Sequence, residues 1–152
     1  MGVYSGFGQD TSTADTTIVQ LKQPASALKR LKIRYVEAGS DASADSAYEA
    51  VLQRTSTAGS GGSALTAYPR DPADGAASGV FRYADSVEPT YPDTYPAGVH
   101  LPVFGHQRST FQWYAMRGAE IIIPVTNDAG VGFRSKTSAT AFNLGVCLEW
   151  EE

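Results

Sequence analysis

Alternation of apolar and polar positions dominates this chain. Between Phe142 and Glu152, Phe142, Leu144, Val146, Leu148 and Trp150 alternate with Asn143, Gly145, Cys147, Glu149 and Glu151, the period of two that marks a strand with one buried face. Thr16–Leu21 reads as a first strand, broken by Pro24, and the same alternation applies to Leu28–Glu37, where Leu31, Ile33 and Tyr35 alternate with Arg30, Lys32 and Arg34. Residues Ala47–Thr55 fit a helix or a strand, and a strand is preferred because a β neighbour must continue the sheet begun at Leu31. Further strands are predicted at Leu65–Tyr68, Gly79–Ala84, Val99–Phe104, Thr110–Met116, Glu120–Val125 and Val131–Ser135. Roughly eight to ten short strands separated by turn residues predict an all-β chain folded as a β-sandwich, with the jelly roll as its natural eight-stranded form.

The interruptions carry their own expectations. Residues 1–15 are rich in Gly, Ser, Thr and Asp around two isolated aromatics, Tyr4 and Phe7. Without periodicity they read as an extended N-terminal arm ahead of a single domain spanning 16–152. An arm of that kind could be deleted without disturbing the domain. Asp41–Ser46 is a polar connector, Thr57–Ser63 a flexible loop tip, and Asp71–Gly75 a turn by composition. Between Glu88 and Pro96 the tripeptide Thr-Tyr-Pro occurs twice. Proline fixes φ and lacks a donor, so this segment is expected to be an extended loop exposing Tyr91 and Tyr95. The run Ile121–Ile123 is apolar at consecutive positions, as between two covered faces or at a subunit contact.

Composition narrows the function classes. The 152 residues are enough for one core needing neither disulfide nor metal. A net charge of −4 argues against direct binding of nucleic acid by phosphate neutralisation. No apolar span of membrane length occurs, and residues 1–10 have neither the basic cluster nor the apolar run of a secretory signal. The single cysteine, Cys147, rules out an internal disulfide and reads as an ordinary small residue.

Candidate chemistry is sparse. The two histidines, His100 and His106, have no Cys nearby and no sequence-local carboxylate, and they lack the His-x-His pattern of a jelly-roll metal enzyme. There is no Gly-x-Ser-x-Gly elbow, phosphate-binding loop or complete calcium loop. No catalytic residue, metal ligand or cofactor is assigned. Phe111, Trp113 and Tyr114 could stack a sugar, although Phe111 and Trp113 share a strand face that is better read as core. The candidate partner-binding residues are Tyr4 and Phe7 in the arm, the basic strand face of Arg30, Lys32 and Arg34, and Tyr91 and Tyr95 in the Thr-Tyr-Pro loop.

The basic strand 28–37, the Ser/Thr/Gly/Ala-rich segment Thr55–Ala77 and the closing Leu148-Glu149-Trp150-Glu151-Glu152 together resemble small virion proteins of tailed bacteriophages, and among these the head decoration, or cement, proteins. The resemblance implies a β-rich, non-enzymatic protein, made in the bacterial cytoplasm and placed on the capsid exterior. It further implies a homotrimer that binds the major capsid protein and ties capsomers together. Two rival readings stand beside it. One is a carbohydrate- or receptor-binding module using Trp113, Tyr114, Tyr91 and Tyr95. The other is a small β-sandwich enzyme using His100 or His106.

Overall fold

The structure is a computed structural model that describes residues 2–138 and 141–152, with the backbone alone at 137 and 138. Its twelve strands are β1 (Val3–Ser12), β2 (Thr17–Lys22), β3 (Leu31–Ser40), β4 (Ala47–Thr55), β5 (Ser63–Leu65), β6 (Tyr68–Pro69), β7 (Val80–Tyr83), β8 (Val99–His106), β9 (Phe111–Tyr114), β10 (Ile121–Ile123), β11 (Gly130–Ser138) and β12 (Phe142–Glu151). They form two antiparallel sheets. Sheet A runs β10-β3-β12-β1-β6, with β9 also on β3, and sheet B runs β5-β7-β2-β11-β4-β8.

The pairing follows a simple rule. Strands β1, β2, β3 and β4 pair in turn with β12, β11, β10/β9 and β8. The chain is therefore one long antiparallel ribbon, wound so that successive ribbon segments fall in opposite sheets, which is the jelly-roll topology expected. The short strands β5, β6 and β7 come from the segment between β4 and β8 and extend both sheets at the β1/β2 side.

The core lies between the sheets. Alternation in β12 buries Phe142, Leu144, Val146, Leu148 and Trp150, as the pattern predicts. Trp150 is fully enclosed, stacked parallel to Phe81 at 6.2 Å and against Tyr4 at 6.1 Å. In β3 the pattern is broken by a bulge. The register passes from Ile33 opposite Trp150 to Tyr35 opposite Glu149, so Arg34 is the extra residue and the buried set switches from Leu31 and Ile33 to Val36 and Ala38. Tyr35 consequently faces outward, not into the core with Leu31 and Ile33.

Residues expected to form an arm are instead β1, an internal strand of sheet A. It pairs with β12 from Val3–Glu151 to Ser12–Phe142 and with β6 through Tyr4 and Ser5. Its inward positions are Tyr4, Gly6, Gly8 and Ser12, and their lack of bulk is the physical reason the stripe was invisible. A Cβ on Gly6 would lie 2.7 Å from the Phe81 ring, and one on Gly8 2.6 Å from Tyr83 and 2.7 Å from Val19. Core volume that β1 would normally supply comes from β7 and β2.

On the outer side of sheet B, Phe104 stands exposed on the edge strand β8, but over β2, β11 and β4 that side is covered by the chain itself. Gln20 and Gln53 are buried there and bind loops by their amides: Gln20 Nε2 donates to Thr57 O at 2.9 Å and Gln53 Nε2 to Asp93 O at 2.8 Å. Gly59 donates back to Gln20 Oε1, and Gly62 to Asp85, itself held by Arg82. The Ser/Gly loop expected to be a flexible tip is thus pinned by its own backbone. The Thr-Tyr-Pro loop is laid down in the same way. Tyr91 shares a hydrogen bond with Thr17 Oγ1 at 2.7 Å beneath the Arg134 guanidinium, and Tyr95 donates to Glu49 beneath Lys136. Arg134 and Lys136, one strand period apart, both pair with Asp15. Tyr91 is therefore half-buried, contrary to the exposure expected of it.

Acid should loosen the end of the molecule where Trp150 sits. Glu152 accepts hydrogen bonds from the Ser78 hydroxyl, the Ser78 and Gly79 amides and the Trp150 indole. Burial alone would raise its carboxyl pKa, but these donors together outweigh burial and lower it. A carboxylate with a depressed folded pKa adds stability above its unfolded value, about 4.3, and loses it as pH falls through the folded value. Denaturation midpoints between pH 5 and 2 should fall for the native chain. They should fall less steeply for Glu152→Gln, and parallel slopes would show that Glu152 is not a source of the acid sensitivity.

Candidate functional site

Among the described residues, none covers the outer face of sheet A in this way. Alternation along five strands and the pairing register together array its side chains in two rows. The first reads Tyr114, Tyr35, Glu149, Ser5 and Tyr68, and the second Gln112, Glu37, Cys147 and Phe7. Exposure is high for large apolar groups: 57 % for Phe7, 72 % for Tyr68 and 67 % for Tyr114. Tyr35 and Tyr114 pack ring to ring at 4.5 Å, and the Tyr35 hydroxyl donates to Glu37. On the far side Arg70 pairs with Glu149, while the Phe7 ring lies over Gly145, where a Cβ would come within 3.0 Å of it.

Between these walls lie two shallow depressions that share Glu37 and Cys147. One is bounded by Tyr35, Tyr114, Arg70 and Glu149, the other by Phe7, Gln9, Asp41 and Asn143. Their carboxylates are Glu37, Asp41 and Glu149, and their one basic group is Arg70. The local field is accordingly negative. It is felt by Cys147, whose thiol pKa is raised first by burial and then by Glu37 and Glu149. Tyr35 is likewise raised, by burial and by its bond to Glu37. At the β3 start the face turns basic. Lys32 and Arg34 flank Glu151 at 3.1 Å and 3.6 Å, next to Arg117 and Glu120.

The expected partner-binding residues are dispersed by the fold. Phe7 lies at the centre of this face, Lys32 and Arg34 at its basic end, and Arg30 is exposed just before β3. Tyr4 is corrected: at 5 % exposure, with its hydroxyl donating to Gly75 O at 3.1 Å, it belongs to its own core and cannot anchor to a neighbour. Tyr91 and Tyr95 sit on the opposite sheet, bound to the side chains of β11. The rival sugar platform is scattered too. Trp113 turns inward against the core, and Tyr114 and Tyr95 are exposed on different sheets. His100 and His106 both face outward along β8, six residues and roughly 20 Å apart, and His106 lies 4.0 Å from Asp45. Among the described residues no group of three or more His, Cys, Asp or Glu side chains is placed to hold a metal ion.

Tyr35, Tyr68, Tyr114, Glu37 and Glu149 were not singled out as a group from the sequence. One signal was present, the Tyr35-Val36 doublet of large apolar residues in an otherwise alternating strand, which is the mark of a bulge. Arrangement on the face offers aromatic surface and negative charge for recognition of another molecule. No protein-family model, curated protein or solved structure matches the chain.

Proposed function

We propose that this chain is a non-enzymatic structural protein of a tailed-bacteriophage virion, a decoration protein that binds the major capsid protein on the outer surface of the shell and stabilises contacts between capsomers. The observation that supports this reading is the contrast between the two sheets. Sheet B is covered on its outer side by the chain's own loops over β2, β11 and β4, with Phe104 exposed on its edge strand β8, whereas sheet A presents Phe7, Tyr68 and Tyr114 together to solvent. Exposed aromatic clusters bordered by charge are the composition of protein-docking surfaces. Each copy makes a modest contact, and a homotrimer multiplies it by raising the effective concentration of the second and third sites.

The central aromatic is the one to remove. Phe7 is 57 % exposed on the outer face and takes no part in the core cluster, so Phe7→Asp should leave the melting temperature within a few degrees of the native chain. Its co-sedimentation with phage particles lacking this protein should fall at least tenfold, the cost of one central anchor being about 2 kcal/mol or more. Unchanged occupancy of Phe7→Asp on such particles would overturn the assignment of this face, and failure of the native chain to bind them at all would overturn the function.

A further inference from the structure

We infer that the paired depressions on the outer face of sheet A are a receptor for a basic side chain, an arginine presented by the protein partner. The inference rests on the docking role proposed for this face and names the chemistry of its anchor. An occupant of an aromatic-walled hollow is ordinarily apolar, but here the floor excludes that. Glu37 stands in the wall common to both hollows, and no ion pair among the described residues engages it. Its one hydrogen-bond partner among the described residues is the Tyr35 hydroxyl, a neutral donor that orients the carboxylate and leaves its charge uncompensated. Glu149 is half-answered by Arg70, and Asp41 by the neutral amide of Asn143.

An apolar group seated over Glu37 would strip water from a charge and return nothing, a costly exchange. A guanidinium resolves the conflict. Its flat cation can lie against the exposed face of Tyr114 or Phe7, which attracts positive charge through the ring quadrupole, while its donors reach the Glu37 carboxylate. Lysine would supply the charge but not the planar stacking, so arginine is the better fit. Geometry favours the centre of the face: Tyr114 is held by its packing against Tyr35, and Phe7 by the close fit over Gly145. Walls fixed before binding lose little entropy on closing around a ligand. The basic end at Lys32, Arg34 and Arg117 then limits where the partner's remaining positive charge can lie, which gives the contact a direction along β3.

The test uses the intact protein and three blocked pentapeptides, Gly-Ser-X-Ser-Gly, with X as arginine, lysine or citrulline, the last being the neutral isostere of arginine. Titrations followed by amide chemical shifts should show arginine-peptide binding at millimolar concentration, with the shifts centred on Glu37, Cys147 and Tyr114. The lysine peptide should bind more weakly, and citrulline should be indistinguishable from background. Glu37→Gln and Tyr114→Ala should each weaken the arginine peptide about tenfold, and 0.5 M salt should weaken it further. Glu37→Gln keeps the shape and the Tyr35 hydrogen bond, so a folded variant is expected, and its amide spectrum verifies this in the same experiment. Equal affinity for arginine and citrulline peptides, or native affinity in folded Glu37→Gln, would overturn the inference. Particle binding separates the two ideas. Loss with Phe7→Asp but none with Glu37→Gln keeps the docking face and discards the arginine anchor, whereas no loss with either discards the face itself.

Discussion

Removal of residues 2–12 is expected to unfold the protein. An appendage could be cut away with the β-sheet circular dichroism unchanged, but β1 is hydrogen-bonded to β12 along ten residue pairs and to β6 on its other side. Its loss strips the backbone ladder from one side of β12 in sheet A and leaves β6 without a partner strand. It also withdraws Tyr4 from Trp150 and opens the roof over Phe81, Val19 and Tyr83, which lie directly against Gly6 and Gly8. A domain has about 5–15 kcal/mol of net stability to lose. Loss of one buried aromatic, Tyr4, and the exposure of several core residues, each worth about 1.5–3 kcal/mol, suffice to exhaust it. The truncated chain should lack a cooperative thermal transition and bind a hydrophobic dye. A truncated chain that melts as sharply and as high as the native one would show that β1 is dispensable.

Trp150→Ala should be the most destabilising single substitution, at about 3–5 kcal/mol. The indole is fully enclosed between the two sheets, with the Phe81 ring parallel to it at 6.2 Å and the Tyr4 ring stacked at 6.1 Å. Alanine would leave a cavity whose walls are themselves held in hydrogen-bonded strands and cannot collapse into it. The indole N–H also donates to Glu152 at 3.1 Å, so Trp150→Phe, which keeps most of the volume, tests the hydrogen bond apart from the packing. Urea midpoints should rank native, then Trp150→Phe, then Trp150→Ala. A loss below about 1 kcal/mol for Trp150→Ala would mean that this part of the core is loosely packed, contrary to the stacking observed.

Much of the architecture was legible residue by residue. Strands β2, β4, β7 and β12 fall within a residue or two of the predicted segments; the period of two is cleanest in β12, whose inner face is packed by side chains of its own, whereas β2 is buried on both faces from Thr17 to Leu21. Strand β1 was unreadable for the opposite reason. Its inner face is Gly6, Gly8 and Ser12 between Tyr4 and the turn, and a strand that receives bulk instead of contributing it leaves no hydrophobic stripe. In β3 the bulge at Arg34 moved Tyr35 from the core face, where simple alternation puts it, to the outer one. That shift alone brings Tyr35 beside Tyr114 and Glu37.

The candidate site was less accessible still. Phe7, Lys32 and Arg34, expected as contact residues, do lie on this face, but Phe7 was expected there as part of an arm and is instead in β1. The outer face draws on β1, β3, β6, β9 and β12, segments separated by tens of residues, and only their register puts Glu37 beside Cys147 and Phe7. Tyr91 and Tyr95 looked free because proline-rich segments carry no regular hydrogen bonding of their own. Arg134 and Lys136, some forty residues later, are what hold them.

From the sequence alone come the all-β class, the two-layer sandwich and the buried stripe of β12, since alternation is a local property that each strand carries within itself. Only the tertiary structure decided which sheet face is covered by loops and which stands bare, that β1 is a structural strand, and that aromatic rings surround an uncompensated carboxylate at Glu37. Those outcomes depend on strand register and on where one bulge falls, and both are set by the packing of distant residues against each other.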